Sequence, residues 1–123
     1  MLINCTNHPH ARWSEEQLHA AQATYGDIVD DPFPAVDPLW DEEQLARAAR
    51  RICAEMEAMR PDAVLCQGEM GMTCALVSLL AERGIPALHA CSERIAREQI
   101  APDGRTIKVS EFVFRGFRAY VHP

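Results

Sequence analysis

No Cys-x-x-Cys pair occurs in the chain, and its five cysteines, Cys5, Cys53, Cys66, Cys74 and Cys91, are odd in number and scattered. That spacing speaks against a zinc site. Neither a metal nor a cofactor is expected, and the thiols read as reduced and mostly buried in a cytoplasmic protein. A basic excess is lacking too, since 12 Lys+Arg against 18 Asp+Glu give a formal net charge of −6. Gripping long DNA or RNA needs a basic face, so long nucleic acid is excluded as a partner. One small anionic ligand in a local pocket is not excluded. No apolar run approaches membrane-spanning length and no secretory leader opens the sequence, so no membrane partner is expected. What remains is ordinary for a globular chain: 48% hydrophobic and 24% charged over 123 residues, one domain spanning 1–123 with a core of its own.

The organising stretch runs from Asp62 to Thr73. Ala63 to Cys66 reads as a short buried strand, Gln67 to Met72 as a loop with two glycines, and a helix follows from about Thr73. A strand turning through glycines into a helix leaves free backbone N–H groups at the helix start, which suits a phosphate. Gly68 and Gly71 can adopt positive φ or let a ligand approach the backbone. Gly-x-x-Gly is neither the Walker pattern nor the full dinucleotide fingerprint, and taken alone it reads first as a plain strand-to-helix turn.

Before that stretch, Leu2-Ile3 centres a first strand, and Pro9 keeps Thr6 to His10 out of it. Ser14-Glu15-Glu16-Gln17 is a capping box with Ser14 as N-cap, and Trp13 and Leu18 are spaced as a hydrophobic staple. That helix runs to about Thr24 and Gly26 ends it. Asp27 to Asp30 is a second strand, and three prolines make 31–38 an extended connection. Asp37 or Asp41 caps a helix to about Met59, with Leu45, Ala49, Ile52, Met56 and Met59 as its buried face. After the glycine loop, the helix of Thr73 to Arg83 is apolar nearly all round, which predicts burial on several sides, in part by a second copy. Ile85 to Cys91 reads as a fourth strand. Asp103-Gly104 is a turn dipeptide, and Ile95 to Ile100 pairs with Thr106 to Phe117 in a hairpin spanning about 94–118.

Strands alternating with helices imply an α/β fold: a three-layer, Rossmann-like parallel sheet in order 2-1-3-4 with an added C-terminal antiparallel hairpin. In that order strands one and three lie side by side with their helices on opposite faces, and ligands bind at the carboxyl ends of such strands. Three polar loops converge there: Thr6 to His10, Gln67 to Thr73, and Cys91 to Arg94. The candidate ligand-binding residues are Thr6, Asn7, His8, Gln67, Gly68, Glu69, Met70, Gly71, Met72, Thr73, Ser92 and Arg94. His8, Glu69 and Arg94 are the candidates for chemistry. His8 suits a phosphate donor or an acid–base group. Glu69 would repel an anion beside it, so it either caps the helix, binds a ribose hydroxyl or acts as a base. Arg94 would supply a bidentate phosphate contact. Ser92 and Thr73 suit phosphate donation and suit turn or helix capping equally. Cys91 has a nucleophile's chemistry, but the sequence identifies no base for it.

Asn4-Cys5-Thr6-Asn7-His8-Pro9, followed by Ser14-Glu15-Glu16-Gln17, resembles the opening of small CRISPR-associated proteins with the Rossmann-like (CARF-like) fold of cyclic-oligoadenylate sensor domains. The resemblance covers about the first twenty residues and the strand order. Asn7 stands where those proteins often have Ser, and the loop before Ser14 is longer. The group includes type III CRISPR ring nucleases, which bind and often linearise cyclic tetra-adenylate, and relatives that only sequester it. The resemblance therefore implies a cyclic oligoadenylate ligand, a homodimer reading a two-fold ligand, and metal-independent cleavage by a ribose 2′-hydroxyl. A nucleotide- or nucleoside-processing enzyme with Glu69 as base or nucleophile, and a non-catalytic interaction module, are the other classes open.

Overall fold

In the computed structural model, which describes residues 1–123, Leu2–Cys5 forms β1 and all four residues are buried. A strand buried on both faces needs layers on both faces, which is the parallel-sheet condition. Glu15–Tyr25 forms α1, with Ser14 as N-cap accepting from the Gln17 N–H, and Gly26 at φ +75° ending it. Ile28–Asp30 forms β2. Glu42–Ala58 forms α2, and the capping residue is Asp41 rather than Asp37, in a complete box with Gln44. Ala63–Cys66 forms β3, again wholly buried. Met70–Glu82 forms α3, Ala87–Ile100 forms β4 and Thr106–Ala119 forms β5.

The sheet order is β2-β1-β3-β4-β5, parallel except for the antiparallel β4–β5 pair. The expected α/β, Rossmann-like architecture is therefore the observed one. Packing divides into two cores. Ile3, Cys5, Val64 and Cys66 face α2 and α3 through Ala49, Cys53, Met56, Met72, Leu76 and Leu80. Leu2, Ala63, Leu65 and Leu88 face α1 through Ala21. Alternate residues of the same strands thus feed opposite layers, as the two-residue strand period requires.

Several expectations need correction. The helix after β3 begins at Met70, three residues before Thr73, because Glu69 caps it. Only one side of α3 is buried, by Met72, Leu76, Val77 and Leu80, while Met70 is 86% exposed and Cys74 and Ser78 face outward. Met59 lies past the end of α2 and is exposed instead of buried. Cys91 to Arg94 is not a loop. β4 runs through it into the hairpin, with an irregularity between Cys91 and Ser92. Polar residues do not stop this strand, since its outer half projects beyond the layers and its side chains meet water on both faces. The hairpin closes through 101–105, where Gly104 has φ +86° and the Asp103 carboxylate accepts from the Arg105 N–H.

The polar contacts at the end of β1 hold the strand to its neighbour. Asn4, 1% exposed, donates through Nδ2 to Asp30 Oδ1 at 2.8 Å and to the His8 carbonyl at 2.9 Å. Its Oδ1 accepts the Thr6 hydroxyl at 2.8 Å. Asp30 also receives the His10 N–H and lies 2.9 Å from the His10 ring. Burial pushes the Asp30 carboxyl up, but the Asn4 and His10 contacts outweigh it and hold the group below its ordinary value. The neighbouring Asp31 goes the other way, raised by burial and then by the Glu55 charge.

Opposite shifts have opposite consequences for stability. Asp30 favours the fold above its unfolded value of about 3.9, and that contribution is lost as pH falls through its lower folded value. Asp31 opposes the fold when ionised, and this cost disappears as pH falls through its raised folded value. Asp30→Asn should therefore lower the urea midpoint at neutral pH. Asp31→Asn should raise it, with the gain vanishing in acid. Urea titrations of both variants from neutral pH into the acid limb read the two signs.

Candidate functional site

Beyond the carboxyl ends of β1 and β3 lies a crevice of about 510 Å³. The sheet order reverses between these strands, and the helices that follow them, α1 and α3, lie on opposite faces. Thr6, Asn7 and His8 reach it from the loop after β1. Arg12, from a 3₁₀ turn over His10–Arg12, lines it together with Trp13, Ser14 and Gln17. Gln67 and Gly68 close it from β3, Ala90 and Ser92 from β4, and Phe112 and Phe114 from β5. No carboxylate is on this wall, although the chain carries 18 Asp+Glu.

The loop is fixed through its backbone. The His8 carbonyl accepts from Asn4 Nδ2, lies 3.1 Å from the Thr6 hydroxyl, and accepts from Trp13 Nε1 at 3.1 Å. The His8 N–H in turn donates to Thr6 Oγ1 at 3.2 Å. A short loop held this way costs little entropy to present His8 and Asn7 at the crevice mouth. Trp13 packs against Phe117 with ring centroids 6.3 Å apart, and Phe117 lies 5.0 Å from Phe114. Phe117, which is not itself on the wall, thus links Trp13 to Phe114.

The glycine loop is built differently from the expected phosphate cradle. Glu69 accepts from the Gly71 N–H at 2.7 Å and from the Met72 N–H at 2.9 Å. The Gly68 N–H donates to Thr73 Oγ1 at 3.2 Å. Three of the amides that would hold an anion are thus engaged within the chain, and the positive end of α3 is met by the chain's own carboxylate. Neither Gly68 nor Gly71 has positive φ. Met72 is fully buried in the core and cannot reach a ligand. Met70 and Thr73 line a second, more apolar hollow of about 660 Å³ with Cys74, Tyr120 and Val121, which meets the crevice only at Gln67 and Gly68.

The other candidates divide. Gln67 lines the crevice, yet its Oε1 accepts the Ala90 N–H at 2.8 Å, so it also ties β3 to β4. Ser92 lines the crevice. Arg94 does not: its guanidinium donates to the Ser110 hydroxyl at 3.0 and 3.2 Å on the solvent-exposed hairpin. The cation on the wall is Arg12, which the sequence reading missed along with Trp13, Phe112 and Phe114. An arginine beside a tryptophan between the first strand and its helix was the available signal for the first two. The phenylalanines needed the hairpin's fold-back.

Gly68 has a packing reason for being glycine. A Cβ there would stand 2.4 Å from the Phe33 ring, which the proline-rich connection lays against it. At Gly71 a Cβ would meet Leu45 at 3.5 Å and the movable end of Glu69 at 3.1 Å. Gly68→Ala should thus cost about 1 to 3 kcal/mol by overpacking, while Gly71→Ala should be neutral or stabilise α3 by up to about 1 kcal/mol. Chemical denaturation of the two variants distinguishes a steric glycine from a ligand-facing one.

A search of curated proteins finds no match, and none is found among solved structures. A family model does match, over residues 1–118, under the description Uncharacterized protein MJ1673 family. With nearly the whole length covered, the chain belongs to the MJ1673 family.

Proposed function

We propose that the crevice binds a cyclic oligoadenylate, cyclic tetra-adenylate above all, in type III CRISPR antiviral defence, and that it linearises the ring without a metal. One observation supports this reading most. In a chain of net charge −6, the pocket at the switch point has no carboxylate, and it has Arg12, His8 and an aromatic wall. Arginine offers the planar fork that suits phosphate. Phe112, 72% exposed, and Phe114 offer faces on which a base stacks. Asn7 and Ser92 are donors of the right size around them.

The reaction asks the protein mainly for positioning and charge stabilisation. A ribose 2′-oxygen attacks its neighbouring phosphorus, the phosphorus–5′-oxygen bond breaks, and the ring opens. His8 is the side chain at the crevice that can take the 2′ proton or give one to the leaving oxygen. Arg12 offsets the charge that grows on the phosphate. Crevices of about 300 to 1,000 Å³ hold one small molecule, so a four-nucleotide ring is shared by two crevices of a symmetric dimer. A second reading, a non-cleaving binder, is favoured by the position of Glu69. Spent on the α3 cap, it leaves His8 without that carboxylate to orient it.

Calorimetric titration with cyclic tetra-adenylate tests binding, and chromatography of the products tests cleavage. The wild type should bind, Arg12→Ala should weaken binding roughly tenfold or more, and Arg94→Ala should leave it unchanged. His8→Ala should keep binding and lose the linear product. A wild type that binds the ring and never opens it supports the second reading. One that binds neither the ring nor mononucleotides overturns both.

A further inference from the structure

On the opposite face of β4 from Ala90 and Ser92, two side chains form a pair that the crevice does not use. His89 and Cys91 are two residues apart on one strand, so they share a face, and Cys91 Sγ lies 3.9 Å from His89 Nδ1. The imidazole is held in place: its ring packs on Tyr120 with centroids 4.9 Å apart, and the Tyr120 hydroxyl is anchored on the Cys66 carbonyl at 2.6 Å. The cross-strand partner of Cys91 is Gly116, at φ +151°, and the space where a Cβ would stand there is open. The cross-strand partner of His89 is Arg118, which is therefore diagonal to Cys91 on the same face. The carboxylate nearest in sequence, Glu93, is paired with Arg115 at 2.8 Å.

The half-buried Cys91 thiol thus has a base in reach, an arginine at the diagonal position of its face and an opening beside it. A partly exposed, electropositive setting is what makes a cysteine reactive. The other thiols lack one part or another. Cys5, Cys53 and Cys66 are buried. A hydrogen bond with Cys66 and then burial push the Cys5 thiol up, and burial pushes up Cys53. Cys74 is exposed on α3 but has no hydrogen-bonded base.

We propose that Cys91, with His89 as its base, is an oxidation site that reacts with hydroperoxides. The thiol proton passes to His89 Nδ1, and the sulfur attacks the terminal oxygen of the peroxide. The S–O bond forms as the O–O bond breaks, and the departing oxygen takes the proton back from the imidazolium. The products are a sulfenic acid at Cys91 and an alcohol, or water from hydrogen peroxide. Sulfur loses two electrons and the peroxide gains them. The proposal stands independently of what the crevice binds.

The test uses the whole protein with iodoacetamide and, separately, hydrogen peroxide followed by dimedone. Mass spectrometry reads each cysteine. Cys91 should be alkylated faster than Cys74, despite the greater exposure of Cys74, by on the order of tenfold. The dimedone adduct should form at Cys91. His89→Gln should slow Cys91 by a similar factor and leave Cys74 unchanged. His89→Phe, which keeps a ring on Tyr120 while removing the nitrogens, should do the same. Continued protection of Cys5 and Cys66 reports an intact fold. The wild-type ratio decides alone if neither variant folds: Cys74 reacting as fast as Cys91 overturns the proposal. So does a folded His89 variant that alkylates at the wild-type rate.

Discussion

The side chain of Asn4 is the constraint on which the site depends. It sits almost wholly buried in the strand that the rest of the sheet flanks, and each of its polar atoms is engaged. A buried amide left without partners would cost about 1 to 3 kcal/mol, so Asn4 dictates where they stand. One is the carboxylate of Asp30 on β2, and the others are Thr6 and the carbonyl of His8. The same residue therefore fixes the edge of the sheet and the conformation of the first crevice loop. Asp30 passes the constraint on to His10, and the His8 carbonyl passes it to Trp13 at the start of α1.

On the other side of the crevice, Glu69 plays a comparable part at the start of α3. Its carboxylate takes two backbone amides that would otherwise point at solvent or ligand. A helix end so satisfied no longer favours a phosphate through its dipole. The crevice's positive charge comes instead from Arg12, a side chain whose position follows from the 3₁₀ turn. The wall therefore carries one localised cation, small polar groups, and aromatic faces from β5.

β4 links the crevice to the Cys91 pair because a strand presents alternate residues to opposite faces. Ala90 and Ser92 line the crevice, while His89 and Cys91 face Tyr120 and the β5 glycine. The irregularity after Cys91 lies where the strand leaves the two cores and becomes a free-standing hairpin. Gly116 opposite it permits a backbone angle that other residues rarely adopt.

Local features settle within the sequence. Ser14, Asp41 and Gly26 mark helix ends because capping is a contact among residues three or four apart. The wholly apolar Ala63 to Cys66, between helical stretches, forces a strand with both faces covered, and from it follow the parallel sheet and its order. Thr6, Asn7, His8 and Ser92 could be named as crevice residues because strand ends at a switch point meet there whatever the side chains do. The sequence could not assign Glu69 among cap, ribose partner and base, since that depends on which donors stand within 3 Å of its oxygens. Nor could it exclude Arg94, which lies on β4 beyond the polar residues read as that strand's end, or find Phe112, whose place at the crevice depends on β5 folding back to pair with β4. Cys91 shows the same limit: its base is two residues distant in the chain, and only the pleat of β4 and the ring of Tyr120 bring the imidazole to the sulfur.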